Sequence, residues 1–150
     1  MRIRRAAAED LPAIRDVITR AYHPDKVRLG YLSPAASLDP KDFVARQAAW
    51  VGEHASAVVA VLLAEPENGH FAVRMAIVDP AWQGRGHGRE LLEHAEALAA
   101  DKGLHEVRVN ANPLLQQTMS IYEHCGYHIC AQRPHPMRAE HQMAELAKAV

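Results

Sequence analysis

The sequence predicts one α/β domain of the α+β kind, with no long parallel sheet. Two observations carry this prediction. Short β-branched runs flank the turn signal Asn68-Gly69, which is typical of an antiparallel hairpin. Two helical segments lie further along the chain, and each is ended by a glycine, Gly103 and Gly126. A chain of 150 residues suits a single domain spanning 1–150.

The first third of the chain predicts one strand and two helices. Residues 3–5 predict a short edge strand, and apolar residues then recur at helical spacing over 11–21. Residues 23–40 hold three prolines and Gly30, so they predict a long loop of the kind that is often functional. Asp39-Pro40 then begins a second helix.

The rest of the chain alternates strands and helices. Trp50-Val51, 57–63 and 70–78 predict three strands, and an apolar stripe at 91–99 predicts a helix. A strand at 106–110, a helix at 114–124 and a strand at 127–131 follow. The closing segment, 141–146, predicts a strand, although its Ala-Glu-Leu-Ala-Lys run is also compatible with a helix.

The composition and the apolar pattern of the sequence argue against several classes of function. The 17 Lys and Arg residues are balanced by 18 Asp and Glu, so no basic excess predicts binding to nucleic acid or an anionic membrane. The chain has no apolar run of membrane-spanning length and nothing that resembles a signal peptide. Two cysteines do not form a disulfide framework, so we expect a reducing, cytoplasmic location.

A glycine-rich turn joins the predicted strand 70–78 to the following helix. Gly84, Gly86 and Gly88 allow backbone N–H groups to approach a ligand, and the start of the helix adds partial positive charge. Such a nest suits phosphate, although the same glycines also suit a plain tight turn. The spacing does not fit a dinucleotide fingerprint, because Arg89 stands at the third glycine position, and no Lys-Ser or Lys-Thr pair completes a P-loop.

The pattern Gln83-x-x-Gly86-x-Gly88, after an apolar strand ending in Val78, resembles the acetyl-CoA-binding motif of the GCN5-related N-acetyltransferase (GNAT) superfamily. The opening segment 3–14 and the segment 121–127, with its Tyr-x-x-x-Gly-Tyr pattern, are similar to other parts of that family. The resemblance covers nearly the whole chain. It implies a mostly antiparallel sheet of six to seven strands, splayed at its two central strands and flanked by about four helices.

The resemblance also implies how acetyl-CoA binds. The backbone N–H groups of the glycine-rich turn would hold the pyrophosphate, and the strand end would pair with the pantetheine amides. Arg85 and Arg89 would add charge-assisted contacts to phosphate, although solvated arginines are equally common at a helix start. The implied cofactor-binding residues are Ile77, Val78, Gln83, Gly84, Arg85, Gly86, His87, Gly88 and Arg89.

The implied reaction is attack of a primary amine on the thioester. A backbone N–H near Val78 would stabilise the oxyanion, and Tyr122, which matches the family's tyrosine, would protonate the leaving thiolate. The strand 70–78 lacks the glutamate that many relatives use as general base. His70, Glu65 or a chain of water remain as alternatives.

For the acceptor we expect a small-molecule amine in a pocket walled by 22–37, the strand bearing Arg74 and the segment after Gly126. Tyr22 and Tyr31 are candidate lining residues, and Arg74 is a candidate partner for an acidic group of the substrate. A peptide N-terminus as acceptor, or a non-catalytic acyl-CoA-binding module, are the alternatives. The ten histidines have no metal-ligand spacing, so no metal is expected. The resemblance further implies a homodimer.

Overall fold

The computed structural model describes residues 1–138 and 140–150. These residues form one seven-stranded sheet in the order β1-β2-β3-β4-β5-β7-β6, with helices on both faces. All neighbouring strands are antiparallel except β4 and β5, which are parallel. The strands are β1 Arg2–Arg5, β2 Ala49–His54, β3 Ala57–Glu67, β4 His70–Val78, β5 Glu106–Ala111, β6 His128–Pro134 and β7 Gln142–Ala149. The α-helices are α1 Leu11–Leu29, α2 Pro40–Ala45, α3 His87–Asp101 and α4 Gln116–His124.

The sheet has a buried core on each face. One core packs α1 and α2 on the sheet, and the other packs α3 and α4 on the opposite face. Strand β4 contributes to both cores because its side chains alternate, so that Met75 and Ile77 pack beside α1 while Val78 packs beside α3. The predicted mixed, mostly antiparallel sheet is therefore confirmed. Within the described ranges, no helix is long and apolar enough to cross a membrane.

The turn between β3 and β4 is the hairpin that Asn68-Gly69 predicts. Both residues have positive φ, 50° and 86°, as the two central positions of a type I′ turn require. The strands then pair from Glu67 and His70 back to Ala60 and Val78. This hairpin is the longest antiparallel pair in the sheet, and it holds β4 firmly from one side.

The predicted loop over 23–40 is wrong in its first part. Helix α1 continues through Pro24 and ends only at Gly30, which caps it in the left-handed conformation and donates its N–H to the Lys26 carbonyl at 2.7 Å. Pro24 is exposed and removes one helical hydrogen bond, but Tyr22 is buried before it. The helix thus continues through a residue that usually ends one, and its last residues before the glycine cap lie at the surface.

The closing segment is a strand, and it is longer than predicted. Gln142–Ala149 pairs antiparallel with β5 on one side and with β6 on the other. Ala144, Leu146 and Ala147 are buried there. Pairing outweighs the helical propensity of Ala-Glu-Leu-Ala-Lys, because residues 144–147 have a partner strand on both sides.

Candidate active site

The central parallel pair opens into a gap. Strands β4 and β5 pair only from Phe71 and Val107 to Val73 and Val109, although β4 continues to Val78. At the same level β4 carries a bulge, since Met75 pairs with Leu63 and Val73 with Ala64, which leaves Arg74 as the extra residue. The bulge bends β4 away from β5, so the second half of β4 has a partner strand on one side only.

The direction of the backbone groups along the open part of β4 follows from the register. The Asp79 N–H donates to the Val59 carbonyl at 2.8 Å, and Ile77 is two residues earlier, opposite Val61. In an antiparallel pair the bonded residues alternate, so the N–H of Ile77 faces β3 while those of Ala76 and Val78 face the gap. This corrects the expectation for Ile77: its side chain packs in the α1-side core, and its backbone is not available to a ligand.

The glycine-rich turn lies directly after the open end of β4. Gly84 and Gly86 have φ of 78° and 84°, and Gly86 is the N-cap of α3. The first intrahelical acceptor is the Gly86 carbonyl, which receives the Glu90 N–H at 3.1 Å. Consequently the N–H groups over 84–89 have no acceptor in the described part of the chain, and they form a nest at the positive end of the helix.

Gly88 shows that the nest has room for a ligand. Its φ is not positive, and an added Cβ would meet no atom of the described chain within 4 Å. Neither backbone strain nor packing therefore requires a glycine at this position. Close approach of an external group to the backbone would require one, so this turn fits the pyrophosphate of coenzyme A.

The side chains around the nest divide into structural and free groups. Gln83 Nε2 donates to the Val78 carbonyl at 3.0 Å and so joins the turn to the end of β4. His87 contacts Glu90 at 3.0 Å, and Arg89 pairs with Glu93 at 3.1 Å. Arg85 lies over the ring of Trp82, 4.7 Å from its centroid. Arg85 has no carboxylate partner among the described residues and is the better placed of the two arginines to meet a phosphate.

The predicted residues Tyr22 and Tyr122 pack with the cores on opposite faces of the sheet. Burial, together with Cys125, raises the pKa of Tyr122 to about 12, so its phenol stays protonated at neutral pH. Burial also raises the pKa of Tyr22, and the proximity of Tyr122 and Asp25 adds to that shift. Tyr22 is 8 % exposed and belongs to the α1 core rather than to a loop, which corrects its predicted place.

His70 lies too far from the gap to serve as the general base. It begins β4 eight positions before Val78, about 25 Å along a strand, and the β4–β5 pairs lie between it and the gap. Glu65 is also unsuitable. Burial alone would raise the pKa of its carboxyl, but Arg46 and Arg74 outweigh that effect and lower it, which makes Glu65 a weak base.

Arg74 is not free to bind an acidic substrate. Its guanidinium contacts Glu67 and also pairs with Glu65 at 3.4 Å. Two carboxylates on β3 therefore already neutralise the charge that the sequence suggested for a substrate.

A cavity of about 380 Å³ lies between the α1–α2 segment and the β6–β7 loop. Tyr31 lines it, as the sequence predicts, but Tyr22 and Arg74 do not. The remaining lining combines apolar side chains with two cationic ones, Lys26 and Arg138. The lining residues are Lys26, Tyr31, Leu32, Ser33, Ala36, Ser37, His135, Met137 and Arg138.

Tyr31 belongs to a hydrogen-bonded cluster that sequence reasoning missed. Its hydroxyl contacts Nδ1 of His141 and accepts from Asn112 Nδ2 at 3.0 Å. The ring of His135 meets the Tyr31 ring edge-on, with centroids 5.2 Å apart. These residues are up to 110 positions apart, and no local pattern links them.

Comparison with known proteins identifies the family. Residues 45–129, more than half of the chain, match the family model described as an acetyltransferase (GNAT) domain. A search of curated protein sequences found no significant match. The chain belongs to the GNAT acetyltransferase family.

Solved structures share the whole fold. The PaiA N-acetyltransferase of Thermoplasma acidophilum, in complex with coenzyme A, is 15% identical, with a TM-score of 0.85 over 99% of this chain and 98% of that one. The ribosomal-protein-S18-alanine N-acetyltransferase of Escherichia coli is 18% identical, with a TM-score of 0.77 over 99% and 93%. Aminoglycoside 6′-acetyltransferase type Ii is 15% identical, with a TM-score of 0.78 over 99% and 97%. At these sequence identities the structural similarity shows a shared fold only.

Proposed function

We propose that this protein transfers the acetyl group of acetyl-CoA to a primary amine of a small-molecule acceptor, by direct attack of the amine on the thioester. The observation that carries the proposal is the open half of β4. The backbone N–H groups of Ala76 and Val78 face the gap, and the nest over 84–89 follows at its end. One extended ligand with amides at one end and a pyrophosphate at the other would bind both the backbone of β4 and the nest.

The residues of the gap have distinct tasks in this reaction. The nest over 84–89 and Arg85 would hold the pyrophosphate, and the backbone of Ala76 and Val78 would pair with the pantetheine amides. The Val78 N–H, or a neighbouring amide, would donate to the oxyanion as the carbon–nitrogen bond forms. As the carbon–sulfur bond breaks, Tyr122 would donate its phenolic proton to the sulfur, since its raised pKa keeps that proton in place until then.

The cavity beside Tyr31 supports a small molecule as the acceptor. Its volume of about 380 Å³ falls within the range of small-ligand sites, and its walls come from the α1–α2 segment and the β6–β7 loop. It adjoins the end of β5 through the bond from Asn112 to Tyr31. An amine held there would approach the gap from the side opposite the nest.

The first test is a calorimetric titration with acetyl-CoA, with ATP and NAD as controls, followed by thiol release with a panel of primary amines. The sharpest variant is Gly88→Ala, whose new methyl group meets open space in the protein alone. We expect equal or higher thermal stability, because alanine favours a helix by about 1 kcal/mol over glycine, but at least tenfold weaker binding of acetyl-CoA. Gly69→Ala, at the distant hairpin, is the control: its φ of 86° makes alanine strained there, so we expect lower thermal stability but unchanged binding of acetyl-CoA.

The outcomes separate the alternatives. Binding of acetyl-CoA with thiol release on small amines supports the proposal. Binding with release only on peptides with a free N-terminus indicates a peptide N-terminal acetyltransferase. Binding without turnover on either panel indicates a non-catalytic acyl-CoA-binding module. No binding by folded protein, or equal binding by the Gly88→Ala variant, contradicts the proposed cradle.

A further inference from the structure

The hydrogen bonds around Tyr31 can form a chain of donors and acceptors. Asn112 Oδ1 accepts the Leu114 N–H at 3.0 Å, so its Nδ2 is the atom that faces Tyr31. Asn112 Nδ2 donates to the Tyr31 oxygen, and with Nδ1 of His141 unprotonated the Tyr31 hydroxyl donates its own proton to that nitrogen. In this tautomer His141 carries its proton on Nε2. The Tyr31 oxygen retains one lone pair for a further donor.

The second histidine of the loop has a different role. Nδ1 of His135 accepts the N–H groups of Met137 and Arg138, at 3.0 and 3.1 Å, so it is committed to the backbone. His135 is 2% exposed, and burial, together with His141 and Arg138, lowers its pKa. It therefore stays neutral and fixes the shape of the loop. His141 is half-buried, and its hydrogen bond leads to a hydroxyl rather than to the backbone.

The cluster stands at the level of the open part of β4. Strand β5 pairs Val109 with Val73, and Arg74 is the extra residue of the bulge. Asn112 lies three residues beyond Val109, on the side of that last pair where β4 and β5 separate. Asn112 is 7% exposed, so the Tyr31 hydroxyl is held against the buried end of β5.

We propose that Tyr31 and His141 form a proton relay that takes the proton from the attacking amine; this rests on the proposed acetyl transfer. When the amine nitrogen bonds to the carbonyl carbon, it becomes cationic. One N–H bond then breaks as the Tyr31 oxygen gains that proton, and the original Tyr31 O–H bond breaks as Nδ1 of His141 gains its proton. The resulting imidazolium returns one proton to solvent. The relay supplies the general base that β4 lacks.

The relay requires that Nδ1 of His141 be free to accept a proton, so acid is expected to block it. The charged and titratable groups around it are Tyr31 from the α1–α2 segment and His135, Arg138 and Glu140 from its own loop. Arg138 lies over the Tyr31 ring, 5.2 Å from its centroid. We expect kcat/KM to fall on the acid side of the pH profile.

The test compares His141→Asn and Tyr31→Phe with the parent enzyme, using an amine that the parent acetylates. Asparagine keeps a hydrogen-bond acceptor for Tyr31 but takes up no proton. We expect kcat/KM to fall about 100-fold in both variants, with an unchanged KM for acetyl-CoA and with loss of the acid limb of the pH profile. Added imidazole is expected to restore part of the rate to His141→Ala. His105→Gln, an exposed histidine at the far end of β5, is the matched control and is expected to behave as the parent.

The outcomes distinguish this inference from the proposed function. If the parent acetylates amines and His141→Asn keeps its rate and pH profile, the relay is wrong and the acetyltransferase stands. If the rate falls but the acid limb persists and imidazole restores nothing, His141 only supports the loop, and the relay is again wrong. If the parent acetylates no amine, the proposed function and the relay fail together.

Discussion

Tyr122 is the residue on which the proposed chemistry depends most directly. It lies near the end of α4, where its carbonyl accepts the Tyr127 N–H at 3.0 Å and its ring meets the Tyr127 ring edge-on. The backbone bond and the aromatic contact fix the position of the phenol. Burial keeps it protonated, with a pKa of about 12. A general acid for a thiolate requires a fixed and protonated donor, and Tyr122 meets both conditions.

We therefore expect Tyr122→Phe to lower kcat by at least tenfold while leaving the affinity for acetyl-CoA unchanged, because the ring stays and only the proton donor is lost. The measurements are steady-state thiol release and calorimetric titration. Tyr127→Phe is the control: it loses the hydrogen bond to Glu96 at 3.0 Å, so it is expected to reduce the free energy of unfolding by about 1 kcal/mol without a comparable loss of rate. Equal rates for Tyr122→Phe and the parent would remove Tyr122 from the mechanism.

The site residues that could be predicted from the sequence lie close together along the chain, whereas those that could not are far apart in it. The nest over 84–89 is local, so its glycine spacing is readable from the sequence alone. The pair of Tyr31 and His141 joins two loops that only the folded sheet brings together. Arg74 was misread for the same reason, because its carboxylate partners on β3 become neighbours only through the hairpin register.

At the level of elements, propensity was least informative where packing opposed it. Pro24 predicted the end of α1, but the helix continues to its cap at Gly30. The closing Ala-Glu-Leu-Ala-Lys run was ambiguous, and pairing with β5 and β6 makes it a strand. The hairpin at Asn68-Gly69 was predictable because a two-residue turn with positive φ is specified by its own residues. Elements specified by local chemistry can be predicted from one sequence, whereas those specified by their neighbours cannot.

The junction of β1, β2 and α1 allows a stability prediction. Arg4 binds both Asp10, at 2.8 Å, and Glu53, at 2.7 Å. The bond from Arg4 lowers the pKa of Asp10, although burial opposes the shift. Because the folded pKa lies below the unfolded one, the stabilisation is complete above an unfolded pKa of about 3.9, and it is lost as the pH falls below that towards the folded value.

Asp10→Asn is accordingly expected to reduce the free energy of unfolding by about 1 kcal/mol at neutral pH, since the pair is partly exposed to solvent. The difference from the parent is expected to shrink in acid as Asp10 of the parent becomes protonated. Urea unfolding at a series of pH values measures both effects. Asp16→Asn, an exposed α1 residue without an ion pair in the described ranges, is expected to change little. A difference for Asp10→Asn that stays constant down to strong acid would contradict the ion-pair account.

At the scale of the whole molecule, the sheet is two units held together at a narrow junction. Strands β1 to β4 form one antiparallel unit and β5 to β7 the other. Between them only three register pairs are formed, from Phe71 and Val107 to Val73 and Val109. Helix α3 contacts β3, β4 and β5 and so bridges the two units on one face. A ligand filling the gap would act as a further strand between them.

Hydrogen exchange tests this arrangement amide by amide. The N–H groups of Ala76 and Val78 face the gap, whereas that of Ile77 faces β3. Without ligand, we expect fast exchange at Ala76 and Val78 and slow exchange at Ile77, because only the latter is hydrogen-bonded. Saturating acetyl-CoA is expected to slow exchange at Val78 at least tenfold and, at a concentration of 100 times its Kd, to stabilise the fold by about 2.7 kcal/mol.

The decisive feature is that slow and fast exchange alternate from one residue to the next. A ligand that only stabilised the fold in general would not produce this alternation. ATP, which shares a nucleotide and phosphates but has no pantetheine arm, is the matched control and is expected to leave Val78 fast. Slowing at Ile77 alone, or equal slowing along 74–78, would contradict the assignment of the gap-facing groups. Slower exchange at Val78 with acetyl-CoA but not with ATP would mean that the pantetheine arm takes the place of the missing strand. A sheet with an open centre can in this way bind its substrate through its own backbone.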